Sequence, residues 1–239
     1  MKKHVYRGLI YALGMFLLAI GVTLSTCTNL GSSPITSVPY CISYITNLQI
    51  GDTTLMVYST FVVVEVICHH KMKQKDMVIK DILQIPVCVV FTRFMNLFAR
   101  LIPDMTGQIW VQLCAQLLAI LLIGTGMVLA LNVRLVPNPA DGIIQTLAEF
   151  TGRKMGTVKN IADAICVLIT LLTGYLCTGK IVCVGVGTVM AMILVGRVVA
   201  LGNKVLKEKI MRCSGLCKSR CPFGVKQEKR MEQIAKYFE

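Results

Sequence analysis

Uncharged apolar runs alternate along this chain with shorter stretches that open on proline and small polar residues. Gly8–Thr28 and Ile109–Val133 contain no charged residue at all. A helix that crosses a bilayer needs about 20 consecutive apolar residues, and both runs supply them. The same reading predicts six spanning helices, over residues 8–28, 53–69, 79–102, 108–132, 157–177 and 181–205. Residues 30–50 and 135–155 break the pattern. Each opens with proline and small residues and then offers too few apolar positions to cross. The expectation for both is a re-entrant half-helix that enters the membrane and turns back.

These two stretches belong to an internal repeat. At a constant spacing of 105 residues, Gly21 aligns with Gly126, Leu24 with Leu129, Leu30 with Leu135, Pro34 with Pro139 and Gly51 with Gly156. After a one-residue gap, Arg93 aligns with Arg197. The first repeat covers residues 1–105 and the second 106–205, with a basic, cysteine-containing tail over 206–239. Three spans per half is an odd number, so the second copy is expected upside down relative to the first. That is the inverted-topology plan of many secondary transporters. The expected fold class is therefore an all-α membrane protein with six transmembrane helices, two re-entrant half-helices and two inverted three-span halves.

Composition agrees with the pattern. Of 239 residues, 55% are hydrophobic and 15% charged, against about 25% charged in soluble domains; mean hydropathy is +0.68. A soluble globular protein is excluded. The net charge of +13 sits beside hydrophobic spans and lacks the basic-plus-aromatic surface of a nucleic-acid module, so the expected partner is the lipid bilayer and no nucleic acid. Lys2, Lys3 and Arg7, then Lys71, Lys73, Lys75 and Lys80, then Arg134, Arg153 and Lys154, then the tail from Lys204 all fall on one side if both short segments are re-entrant. The opposite loops hold Lys180 alone. The positive-inside rule then puts both termini in the cytoplasm. The N-terminal stretch resembles a signal peptide, but its apolar run exceeds the usual 7–15 residues, and it is read as the first span. Most of the 11 cysteines lie in apolar runs, where they serve as small hydrophobes.

The two short segments carry the candidate chemistry. Irregular backbone at membrane depth is tolerated only where protein buries it or a wet cavity borders it, and helix N-termini expose N–H groups with partial positive charge. In the first segment, Gly31 permits a tight turn and Ser32, Ser33, Thr36 and Ser37 offer hydroxyls. In the second, Asn138 is the expected helix cap, and Asp141 brings a carboxylate. Ordinary interfacial turns with capped helices are the alternative. Arg93 and Arg197 lie within spans at equivalent positions. They either face inward and hold an anion or snorkel to an interface. Lys159 and Asp163, four apart, are expected to pair on one helix face, as a structural pair or with Asp163 as a proton-coupling carboxylate. Glu65, near the basic loop, reads as a snorkelling surface residue, with proton coupling as the sharper alternative. The three histidines sit at span edges. Cys213, Cys217 and Cys221 lack the usual zinc-ligand spacing. No phosphate loop, metal motif or catalytic triad is visible, so no enzyme, cofactor or metal is expected.

The run from Leu30 to Pro34 with Ile50 and Gly51 resembles the bacterial YczE/YyaS/YitT-type integral membrane proteins. So do Ala140, Asp141 and Gly142, followed by Thr151, Gly152, Gly156, Lys159 and Asp163, and then Val184, Gly185, Gly187, Thr188 and Gly196. Arg197 and Ala191 depart from that pattern. The resemblance implies a multi-pass protein of the bacterial inner membrane, labelled a transporter or permease of unsettled substrate. Asn138-Pro139-Ala140 also matches the aquaporin signature, but an aquaporin half-helix follows the second span of each repeat, and here it follows the first. The expected function is transport of a small solute, an anion if the arginines face it, with the site between the two re-entrant loops. A passive pore and a regulatory or assembly protein acting through its tail are the alternatives, and a homo-oligomer is compatible with all three.

Overall fold

The computed structural model describes residues 2–133, 136–180 and 182–211. Among them the chain is all helical, with α1 Lys2–Cys27, α2 Pro34–Thr46, α3 Ile50–Lys71, α4 Lys75–Leu101, α5 Ile109–Val133, α6 Pro139–Thr151, α7 Met155–Thr178 and α8 Val186–Met211. Six of these are long and apolar enough to cross a membrane; α2 and α6 are not. The protein is a multi-pass membrane protein. Its outer surface is correspondingly greasy, with Leu9, Leu13, Leu168, Leu172 and Leu176 exposed, as contact with lipid requires.

The short helices are bounded alike. Each starts with proline in its first turn, Pro34 and Pro139, where the missing N–H costs nothing and φ is preset. Each ends at a left-handed residue, Asn47 at φ 57° and Gly152 at φ 65°. Such C-terminal caps fix where a helix stops.

At the centre, α1 and α5 lie in backbone contact. Gly14 meets Gly126 and Ala130, while Gly21 meets Ala119 and Ile123; as numbers rise on one helix they fall on the other, so the pair is antiparallel. Close approach of this kind through small residues is the usual membrane solution for helix association. α4 packs on α1, and α8 on α5. α2 lies along α7, α6 along α3, and α3 along α4, whereas α8 makes little contact with α7 among the described residues.

The sixth span differs from expectation. It begins at Val186, not at residue 181, because Gly179 (φ 68°) closes α7 and Cys183 (φ 66°) turns the chain. The turn carries Gly185 and Gly187 beneath the first loop, where Gly187 N–H donates to Leu30 C=O at 2.8 Å. A Cβ on Gly185 would lie 2.6 Å from that same oxygen. The tail from residue 212, with Cys213, Cys217 and Cys221, lies outside the described residues, as does Arg134.

The glycine contact makes a direct prediction. A Cβ at position 126 would sit 2.7 Å from Gly14 O and from Leu18 N. Gly126→Ala is expected to cost about 1–3 kcal/mol, as overpacking does, and to lower the melting temperature of the purified protein in detergent. Gly196→Ala, where nothing lies within 4 Å, is expected to leave it unchanged or slightly raised.

Candidate functional site

Two crossed contacts set the register of the short helices. Ser37 of α2 meets Thr170 of α7 with hydroxyl oxygens 2.8 Å apart, and one turn on, Cys41 reaches Thr170 O and Gly174. Gly142 of α6 meets Glu65 of α3, and one turn on, Thr146 reaches His69. In both pairs the numbers rise together, so each short helix runs parallel to its partner. Ser37 and Gly142 are 105 apart, and so are Glu65 and Thr170. The same contact is made twice, with different side chains.

The N-terminal ends of both short helices are uncapped by side chains. Ser33 and Asn138 occupy the N-cap positions without making the expected capping bond. Around Ser33 the hydroxyls bond one another: Thr36 Oγ1 lies 2.5 Å from Ser32 Oγ and 2.7 Å from Ser33 Oγ. Gly31, at φ 98°, is pressed against Gly185 N and Thr188 Oγ1; no side chain fits there. Asn138 instead leaves its buried Oδ1 without a partner, beside Tyr58 of α3. Asp141, half-buried in the first turn of α6, lies within charge–charge reach of Lys159 and Asp163. Ile35, at the start of α2, packs into the cluster of Ile143, Ile144 and Val158, which brings the beginning of α2 against α6.

Several expected site residues lie elsewhere. Arg93 is exposed, and its Nη1 donates to Asp52 Oδ1 at 3.2 Å. Asn96 Nδ2 also donates to that oxygen, at 3.1 Å. Arg93 borders an outward apolar groove with Val89, Val90, Phe94 and Leu97. Arg197 is exposed too. Neither guanidinium joins the cluster, because each stands on the face of its helix turned away from the bundle. Lys159 and Asp163 do not form the expected ion pair: Asp163 is buried and Lys159 exposed, and the ion pairs among the described residues are His69–Asp81 and Arg93–Asp52.

Glu65 corrects the sequence reading most sharply. It does not snorkel; it is 1% exposed. Gln84 Nε2 donates to its Oε2 at 2.7 Å. A Cβ on Gly142 would lie 2.7 Å from one carboxylate oxygen and 2.9 Å from the other, so the carboxyl rests on the backbone of α6. One turn away, His69 Nδ1 and Asp81 Oδ2 are 2.6 Å apart, and His69 Nε2 is 3.3 Å from Thr146 Oγ1. All five side chains are buried. The signal was present in the sequence: Glu65 and His69 are four apart, Asp81 and Gln84 three apart, each pair on one helix face. Their closeness to the lysine-rich loop hid it.

Gly142→Ala is therefore expected to displace the Glu65 carboxyl and destabilise the protein by about 1–3 kcal/mol. Adding Glu65→Ala is expected to remove most of that extra cost. Thermal melts of the two single variants and the double variant check this as a coupling energy.

A family model described as a family of unknown function (DUF6198) matches residues 5–204. No curated protein matches the chain, and no solved structure does.

Proposed function

The chain belongs to the DUF6198 family, and from the site its own residues build we propose that it is a transporter of a small polar solute, made of two inverted halves. The carrying observation is the crossed contact made twice, Ser37 with Thr170 and Gly142 with Glu65. A two-fold axis in the membrane plane, between α1 and α5, exchanges exactly such pairs. The antiparallel packing of α1 on α5 supports that axis, since these helices are equivalent in the repeat. α2 and α6 are 13 residues each, about 20 Å at the helical rise, and the bilayer core is about 30 Å thick. They are re-entrant, entering from opposite faces with their N-terminal ends inward.

The solute site is the region where those ends meet. Ser32, Ser33 and Thr36 supply hydroxyls on one side, while Asn138 Oδ1, which lacks a protein partner, and Tyr58 stand on the other. Uncapped helix N-termini offer N–H groups, and the charged groups nearby are the carboxyls of Asp141 and Asp163 with the exposed Lys159 within charge–charge reach of both. Among the described residues no guanidinium faces the site, since Arg93 and Arg197 are exposed, and a neutral or cationic polar solute suits the buried carboxyls there. Rocking of one half against the other would expose it alternately to the two faces. The flanking lysines and arginines favour both termini in the cytoplasm. The resemblance to YczE/YyaS/YitT-type proteins points to a bacterial inner membrane.

Two measurements test this reading. Asn47→Cys and Gly152→Cys, at the outer ends of α2 and α6, are made in a chain whose native cysteines are replaced. In sealed vesicles they are expected to react with an impermeant maleimide from opposite sides. Labelling of both from one side would end the inverted reading. Vesicles challenged with labelled sugars, amino acids, nucleosides and amines are expected to take up one class saturably. Asp163→Asn is expected to lower that uptake roughly 10- to 100-fold, since a hydrogen bond to a charge is worth about 1.5–3 kcal/mol.

A further inference from the structure

Two buried oxygens in the α3–α4 contact have no partner, Glu65 Oε1 and Gln84 Oε1. Their sister atoms are bonded to each other, with Gln84 Nε2 donating to Glu65 Oε2. Both side chains are sealed, Glu65 at 1% exposure and Gln84 at 0%. An ionised carboxylate in this place would accept one neutral hydrogen bond and leave its other oxygen bare, which is costly for a buried charge. Among the described residues no lysine or arginine pairs with it. The charged or titratable groups that face it are Asp81 from α4, Asp141 from α6 and His69 from its own helix.

A proton on Glu65 Oε1 removes the bare charge and turns that unpartnered oxygen into a donor, while Oε2 keeps the hydrogen bond from Gln84 Nε2. Asp81 lies within reach of the same carboxyl. Beyond Glu65 and Gln84 runs a connected chain. Asp81 is one turn from Gln84 on α4, His69 one turn from Glu65 on α3, and His69 and Asp81 are themselves bonded at 2.6 Å. His69 stands two residues from Lys71, the last residue of α3. Glu65 lies about 9 Å inside that end at the helical rise.

We infer that Glu65 is a proton-carrying site, and that Asp81 and His69 pass its proton to and from the face of the bundle that carries Lys71 and Lys75. On loading, a proton from water binds His69, moves along the His69–Asp81 hydrogen bond, and is handed by Asp81 to the Glu65 carboxylate. Unloading is the reverse, and no other bond changes. Asp141, next in sequence to Gly142 on which Glu65 rests, continues the line toward the proposed solute site. Coupling of the proton to solute rests on the transporter reading; the proton site and its path do not.

Infrared spectroscopy of the full-length protein in lipid nanodiscs tests the inference. At neutral pH the wild type is expected to show a protonated-carboxyl C=O band that shifts in D2O and is absent in Glu65→Gln. That variant keeps an oxygen to accept from Gln84 Nε2 and is expected to melt at or above the wild-type temperature, so loss of the band is not loss of fold. Glu65→Ala, with the same band missing, provides a second check. His69→Asn with Asp81→Asn is expected to keep the band and slow its deuterium shift roughly a hundredfold, the scale of a removed proton-transfer group. No protonated band in the wild type, or a band that survives Glu65→Gln, overturns the proton site; an unslowed shift in the double variant overturns the path. Vesicles loaded with a pH-sensitive dye separate the two readings, using whichever solute class is taken up. Solute entry without proton entry overturns the coupling and leaves the transporter standing. A Glu65 band without any solute uptake leaves the proton site standing and counts against the transporter.

Discussion

Gly14 and Gly126 bring two backbones into direct contact, and a methyl group at either position would collide with the other strand of the pair. Lipid tails give no hydrophobic reward for bringing helices together, so close van der Waals packing must hold such a bundle. Everything else hangs from this central pair. α4 lies on α1 and α8 on α5. Each half then sends its short helix across to the long third helix of the other half. Each short helix also rests on the helix that follows it, α2 on α3 and α6 on α7.

The element pattern was legible in the sequence because lipid imposes a length. Six runs reach that length and two do not, and the two that fail open on Pro34 and Pro139. The starts of α2 and α6 followed from those prolines, whereas the expected Asn138 cap did not, since its side chain makes no capping bond. The start of α8 did not, because it depends on a contact with Leu30, far away in the chain, that asks for Gly185 and Gly187. The candidate site was legible only in part. Ser32, Thr36, Asn138 and Asp141 lie where the short helices begin, as their positions suggested. The arginines do not, since a residue's depth in a span says nothing of the face it stands on. In a helix apolar all round, as α5 is, the pattern gives no face to read.

Glu65 shows the same limit from the other side. Near a basic loop, a lone glutamate reads as a surface residue, and its distance from the span end allows that. What decides its burial is Gly142, at a position no local rule connects with it. Gln84 then follows as the donor that a buried carboxyl requires beside it, and His69 as the partner of the neighbouring Asp81.

The two crossed contacts are filled in different ways. One pairs the hydroxyls of Ser37 and Thr170, two small neutral groups that satisfy each other and need no charge. The other, 105 residues away on each side, holds Glu65, a longer side chain. A serine opposite it would collide, since even a bare Cβ on Gly142 would lie 2.7 Å from the carboxyl. The longer side chain on α3 is matched by the missing one on α6, so both contacts close. Gln84 meets the carboxyl from α4. An acid inside an apolar span is expensive to bury as a charge, and far less so when protonated, which is the form the proposed proton site assigns to Glu65.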